Sequence, residues 1–203
     1  MPLLSLPAIE QRLREHQPVV LDTRKFSRQA AVAAILRENA GATEALFIKR
    51  AQRPGDLWSG HMAFPGGHWE PADADLAATA IRETREEIGL DLEQHGRLLG
   101  HLDYMNVNPI GTSVDMLIVP FVFAVQGDLP AFAPNHEVAD VLWGSVHDMF
   151  HGRSATRRDM HVRGGVRPFP GYEVQDEIVW GLTYRMLHGF FAVLDPAWSI
   201  TEG

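Results

Sequence analysis

Apolar and polar positions follow two rhythms along the chain. RQAAVAAIL (28–36) and EALFIKR (44–50) predict two strands joined by a turn at ENAGAT (38–43). RLLGHLDYM (97–105) and SVDMLIVPFVFAV (113–125) predict further strands, and EVADVLWGSV (137–146) predicts a strand running into a short helix. Helical spacing marks residues 6–16, 75–88 and 177–194. In the last of these, Ile178, Leu182, Met186 and Phe190 recur every four residues. Asp73 or Asp75 can cap the helix at 75–88, and Gly89 stops it. Residues 51–75 are rich in Gly and Pro and predict a loop, while the basic stretch 151–174 predicts a loop or hairpin. Strands and helices mix without regular alternation, which predicts an α+β sandwich rather than a doubly wound sheet. A single domain spanning 1–203 is expected, with residues 1–20 as a helical extension.

Composition narrows the function. The 203 residues carry a net charge of −8. That argues against sequence-independent nucleic-acid binding, which needs a basic surface. It leaves room for a small phosphorylated substrate held by a local patch and a metal. The chain has no Cys, which excludes disulfides, thiolate nucleophiles and Cys-type zinc sites. The first 18 residues lack the basic start and long apolar run of a signal peptide, and the run MLIVPFVFAV (116–125) is too short to span a membrane. No membrane partner is expected, and a cytoplasmic protein is the default expectation. A homodimer is left open.

The helix at 75–88 breaks a local rule. Glu83, Glu86 and Glu87 crowd its C-terminal turns, where the helix dipole favours cations. Carboxylates three and four residues apart also repel, by roughly 0.2–0.5 kcal/mol per pair. On a helical wheel Ala77, Ile81, Thr84 and Ile88 form the stripe expected to face the core, and the three glutamates fall on another face. A solvated acidic face is the plain reading of such a cluster. A divalent cation gives a second reading, because it turns repulsion into chelation, and Mg²⁺ or Mn²⁺ takes carboxylate oxygens. Arg82 can hold one of the carboxylates through a bidentate pair.

FPGGHWEPADADLAATAIRETREEIGL (64–90) resembles the signature box of the Nudix hydrolases, through Gly67, Asp73, Arg82, Glu83, Glu86, Glu87, Gly89 and Leu90. It departs from that box in using Asp73 rather than Glu, in one extra residue between Gly67 and Arg82, and in Thr84. The Asp-x-Asp at 73–75, TAIRE (79–83), RQAAVAAIL (28–36), LLGHLD (98–103) and IVWGLT (178–183) are similar to the coenzyme A diphosphatase branch. Upstream, RAQRPGDLWSGHMAFPGG (50–67) departs from that branch: Trp58 stands near its usual His, and His61 replaces its Gln.

The resemblance implies a Nudix-type α/β/α sandwich with a mixed central sheet and the catalytic loop-helix between strands. It implies an enzyme that hydrolyses the diphosphate of a small nucleotide-like substrate by water attack on phosphorus. Mg²⁺ or Mn²⁺ would be held by Glu83, Glu86, Glu87 and the Gly66 carbonyl, with Arg82 orienting the cluster and Asp73 supporting the loop–helix junction. Glu83 is the first candidate for the general base and Glu137 the second. Arg50, Arg53 and Lys49 are candidates for phosphate contacts, and Trp58, Trp69 and Tyr104 for stacking on a base. Solvent exposure accounts equally well for Glu137, and better for Lys49, which strand alternation can point at solvent. Coenzyme A competes as substrate with nucleoside diphosphate sugars, ADP-ribose and nucleoside triphosphates. A non-catalytic nucleotide-sensing module is the rival class, although it would be expected to lose box acids that are all present here. HDMFH (147–151) has the histidine spacing of zinc proteases, but no third ligand is evident.

Overall fold

The computed structural model describes residues 3–53, 59–107, 115–162 and 165–199. Two long strands, β1 (Arg28–Asn39) and β2 (Ala42–Arg50), form a hairpin around Ala40 and Gly41, both at positive φ (50° and 80°). Two short strands follow, β3 (Met62–Ala63) and β4 (Gly66–His68), and then helix α2 (Leu76–Ile88). Helix α1 (Leu6–Glu15) precedes them all. After α2 come α3 (Leu92–His95), β5 (Gly96–His101), β6 (Met105–Val107), β7 (Met116–Val125), β8 (Val138–Ser145) and α4 (Val146–Phe150). The chain ends in β9 (Ala155–Val162), β10 (Gly165–Val174), β11 (Glu177–Trp180) and α5 (Gly181–Leu194).

The main sheet runs β3-β2-β1-β7-β5, with β4 on β1, β6 on β7 and β8 on β2. β1 and β7 are parallel, from Arg28 opposite Met116 to Leu36 opposite Ala124, and the remaining pairs are antiparallel. Strand alternation splits the core into two layers. On β1, Ala30, Ala34 and Leu36 face α1 and α5, while Ala31, Ala33 and Ile35 face α2. β7 is buried at all ten positions, which explains its unbroken apolar run. The result is the expected α/β/α sandwich with a mixed sheet. Among the described residues no helix is long and apolar enough to cross a membrane.

Three expectations need correction. The helix expected over 177–194 begins only at Gly181: Glu177–Trp180 pairs with β10, from Val174 opposite Glu177 to Gly171 opposite Trp180. Gln175 (φ 55°) turns the chain into this strand and Gly181 (φ 65°) turns it out, so the left-handed glycine separates strand from helix. The run at 97–105 splits into β5 and β6. The buried stripe of α2 is Leu76, Thr79, Ala80, Thr84, Glu87 and Ile88, with Ala77 and Ile81 half-buried. Its buried hydroxyls are satisfied locally, Thr84 donating to the Ala80 carbonyl (2.7 Å) and Thr79 to Asp73 (2.9 Å). The basic stretch at 151–174 forms the β9–β10 hairpin, which joins β11 in a second, three-stranded sheet.

Candidate active site

The loop before α2 is threaded between β1 and the helix. Pro65 accepts a hydrogen bond from the Ala33 N–H (2.8 Å), and Gly66 pairs with Val32. A side chain at Gly66 (φ 154°) would sit 2.3 Å from the Ala31 carbonyl oxygen, and one at Gly67 would sit 2.5 Å from the Glu83 carboxylate. Both glycines therefore serve close approach. Asp75 caps α2 by accepting from the Ala78 N–H (2.8 Å), and Gly89 ends it in the left-handed region (φ 72°).

Arg82 organises the acids at this junction. Its Nε and Nη2 grip Asp73 (2.9 and 3.1 Å), Nη1 donates to Glu83 (2.9 Å) and Glu86 (3.1 Å), and Nη2 also reaches the His68 carbonyl (2.9 Å). These bonds use the full donor set of a guanidinium. The pair holds Asp73 at a pKa of about 2, with the Glu70 N–H and the Thr79 hydroxyl helping. Asp73 raises the pKa of Arg82 in return. Asp73 is thus a bracket between loop and helix, as the resemblance implied, and Asp75 rather than Asp73 caps the helix.

Glu87 lies in a different setting. It is 3% exposed, and its Oε2 accepts from the Gly66 N–H (2.9 Å). Burial pushes its pKa up to about 8; the Gly66 N–H and Arg50 pull it down, and Glu83 and Glu137 push it up. Glu83 is also raised by burial, against the pull of Arg82. Glu86 stays largely outside, its side chain 54% exposed. The glutamates expected to converge on one patch are therefore divided: Glu83 and Glu86 share Arg82, while Glu87 turns under Gly66. Among the described residues no group of three or more such side chains is gathered as a ready metal cage. The donor set nonetheless suits a hard divalent cation, since carboxylate oxygens dominate it. The raised pKa of both Glu83 and Glu87 marks a pocket short of positive charge, which such a cation would correct.

Residues 133–137 close the far side. The Asn135 N–H donates to the Glu87 carbonyl (2.8 Å) and the Ala133 N–H to the Ile88 carbonyl (2.9 Å), so this loop satisfies the exposed end of α2. That docking brings Glu137 close enough to raise the pKa of Glu87. Glu137 pairs with Arg53 (2.9 Å), and its carbonyl accepts from the Ala51 N–H (2.7 Å). Arg50 stands beside Glu87, and its N–H donates to the His61 carbonyl (3.0 Å). The structure thus brings Glu83, Glu87, Glu137, Arg50, Arg53 and Arg82 around one junction.

Other candidates lie elsewhere. Tyr104 packs beside the His101 ring (5.4 Å between centroids) and bonds Val19 through its N–H (3.0 Å). Among the described residues it makes no hydrogen bond, ion pair or ring contact with the acidic cluster. Trp69 is 40% exposed, its N–H bonded to the Gln29 carbonyl (2.9 Å). Lys49 pairs with Glu177. Trp58 lies outside the described residues. The His147 and His151 rings meet at 4.4 Å between centroids, tilted by 57°, and Asp148 between them is engaged by Arg153. Sequence reasoning missed the ring contact of His61 with Trp180, 4.5 Å between centroids, which joins the approach to the box to β11. Nothing in local sequence pairs residues so far apart.

Residues 27–163 match the NUDIX domain. An uncharacterised Nudix hydrolase NudL of Photorhabdus laumondii is 30% identical over 130 residues, 64% of this chain and 66% of that protein. An uncharacterised protein of Schizosaccharomyces pombe is 34% identical over 114 residues, 55% of this chain and 35% of that one. The match therefore spans just under two thirds of the first relative and about a third of the second. Among solved structures, a MutT/nudix family protein of Enterococcus faecalis aligns over 94% of this chain and 70% of its own (TM-score 0.55, 14% identity). The Caenorhabditis elegans Ap4A hydrolase, in a binary complex, aligns over 61% of this chain and 83% of its own (TM-score 0.50, 22% identity). These likenesses agree with the sandwich fold, and the match to the NUDIX domain, covering most of the chain, shows that the protein belongs to the Nudix hydrolase family.

Proposed function

We propose that the protein is a metal-dependent diphosphohydrolase that cleaves the diphosphate of coenzyme A or an acyl derivative by water attack on phosphorus. The observation that carries the hydrolase reading is Glu87, a carboxyl buried under Gly66 and raised to about 8, facing Glu83, Arg50 and Glu137. A buried acid so short of countercharge is the kind of group found at functional sites.

Glu83, Glu86, Glu87 and the Gly66 carbonyl would hold Mg²⁺ or Mn²⁺, which supplies Lewis-acid stabilisation of the phosphoryl oxygens and a more acidic water. The chain's own residues do the rest. Gly66 and Gly67 let the loop pack directly against the Ala31 carbonyl and the Glu83 carboxylate, which seats the acids at the junction. Arg82 fixes the rotamers of Glu83 and Glu86. Glu83 takes the proton from the attacking water, and Glu137, held by Arg53, is the second candidate for that role. Arg50 and Arg53 border the acids and would meet the charged oxygens of the diphosphate.

Coenzyme A is favoured by TAIRE, LLGHLD and IVWGLT. The last stretch borders the approach to the box: Trp180 meets His61, and the Thr183 hydroxyl donates to the Met62 carbonyl (3.3 Å). The test is a panel of coenzyme A, acyl-coenzyme A, sugar nucleotides, ADP-ribose and nucleoside triphosphates with Mg²⁺ or Mn²⁺ and product identification. The expected products of coenzyme A are adenosine 3′,5′-bisphosphate and phosphopantetheine. A kcat/KM for coenzyme A about a hundredfold below that for a sugar nucleotide, near 2.7 kcal/mol at the transition state, would hand the substrate to the latter.

A further inference from the structure

The β9–β10 hairpin departs from the charge of the whole. Residues 151–174 carry five Arg against one Asp and one Glu in a chain of net charge −8. Its register sorts these side chains. Phe169 lies opposite Arg158, Arg167 opposite Met160, and Gly171 opposite Thr156 on one side and Trp180 on the other. Since residues two apart share a face, Trp180, Phe169, Arg158 and Arg167 belong to one face of the small sheet. The opposite face carries Tyr172, Val174 and Val179 into the core.

That face is continuous with the active site. The Arg50 N–H holds the His61 carbonyl (3.0 Å), and the next residue, Ala51, donates its N–H to the Glu137 carbonyl (2.7 Å). The His61 ring meets Trp180 at 4.5 Å between centroids, and Trp180 meets Phe169 at 5.6 Å. Gly171 lets β10 and β11 pair this closely, because a side chain there would sit 2.7 Å from the Ile178 side chain and 2.8 Å from the Val179 carbonyl oxygen. Beyond the rings, Arg158 and Arg167 are exposed. Among the described residues neither has a carboxylate partner, in contrast to Arg53 and Arg82. Strand rise places Phe169 and Arg158 about 7 Å, and Arg167 about 14 Å, past Gly171.

We infer that this face is a subsite for the far arm of the substrate, with Trp180 and Phe169 covering its flat or apolar part and Arg158 and Arg167 binding a phosphate remote from the scissile diphosphate. The inference rests on the hydrolase reading for its place in catalysis. Arg53 is already paired with an acid of the junction, Glu137 (2.9 Å), which leaves the remote phosphate to Arg158 and Arg167. Charge complementarity favours a compact dianion over a long polyanion, because the rest of the chain is acidic.

Calorimetric titration of the full chain with adenosine 3′,5′-bisphosphate and with AMP tests this without turnover. The wild type should bind the bisphosphate at least about tenfold more tightly, as charge-assisted hydrogen bonds predict. The double variant Arg158→Ala/Arg167→Ala should lose that preference, leave AMP binding unchanged and melt like the wild type. Arg158→Lys/Arg167→Lys should keep part of the preference. In turnover, the Ala variant should raise KM for coenzyme A by about tenfold or more and leave dephospho-coenzyme A unaffected. Equal affinities in the wild type, a preference that survives in the Ala variant, or tighter capture of a short single-stranded RNA would each overturn the inference. A bisphosphate preference in a protein that hydrolyses no diphosphate would overturn the hydrolase reading and leave the subsite standing.

Discussion

The two flanks of α2 carry the same kind of side chain in opposite circumstances. On one flank Asp73 meets a guanidinium, a backbone N–H and a hydroxyl, and its pKa falls to about 2. On the other, Glu87 is buried against one backbone N–H with two further acids near it, and its pKa rises to about 8. Charge is saturated at the first and withheld at the second. A saturated carboxylate holds structure together, and one kept short of charge is available to a ligand. Arg82 marks the boundary, since one face of it serves Asp73 and the other Glu83 and Glu86.

Removing that boundary should have the largest effect. Arg82→Ala leaves the nearly buried Asp73 without its partner, and breaking such a pair costs about 3–5 kcal/mol. Urea unfolding should show the loss, and hydrolysis should fall with it because Glu83 and Glu86 lose their support. Arg82→Lys should recover little, since a point charge cannot replace the fork. Stability of Arg82→Ala within about 1 kcal/mol of wild type would remove the contrast between the flanks.

Glu87→Gln probes the withheld side. It should lower kcat at least about a hundredfold, near 2.7 kcal/mol, because metal-borne charge stabilisation is lost. The fold should hold or gain, since the amide keeps an acceptor for the Gly66 N–H and carries no charge to bury. Glu86→Gln should cost activity with less effect on melting, its carboxylate being more than half exposed. Near-normal turnover of Glu87→Gln at low Mg²⁺ would return this acid to a structural role.

These contrasts were only partly legible in the sequence. The apolar runs of β1 and β7 disclose two strands, while the layers they separate were implied only by the resemblance. The box residues disclose α2 and its Gly89 stop, and leave its cap open between Asp73 and Asp75. The burial of Glu87 was not legible: a wheel treats a helix as having one buried stripe, whereas α2 is also covered by the loop at 64–68 and by residues 133–137. Docking of that second loop depends on backbone groups, Asn135 N–H to the Glu87 carbonyl, which no side-chain pattern records. The strand at Glu177–Trp180 was hidden because Ile178 falls in phase with the true helix after it.

The Asp73 flank can be tested by pH. Its folded pKa of about 2 lies below the ordinary 3.8, so the native state binds fewer protons than the unfolded chain between those values. Its contribution, about 2 kcal/mol, is complete above about pH 5 and is lost as the pH falls through 2. Asp73→Asn should therefore be less stable than wild type at pH 6 and approach it near pH 2. A gap between the two proteins that stays constant across that range would show that the Asp73–Arg82 bond is not the source.

Glu137 gives the smallest effect and the sharpest reading of the second flank. Its side chain is 39% exposed and held by Arg53, so its loss should disturb the fold little. Its proximity raises the pKa of Glu87. If it assists the attacking water, Glu137→Gln lowers kcat about tenfold, or 1.4 kcal/mol, with KM unchanged, the mark of an interaction made in the transition state. If it only positions Arg53, the same variant raises KM and leaves kcat intact. In that case Arg53→Ala reproduces the change, and the two losses do not add, since both variants break one bond. The double variant Glu137→Gln/Arg53→Ala separates the cases: additive losses assign Glu137 to the water and Arg53 to the substrate, and a shared loss assigns both to the loop that closes the site.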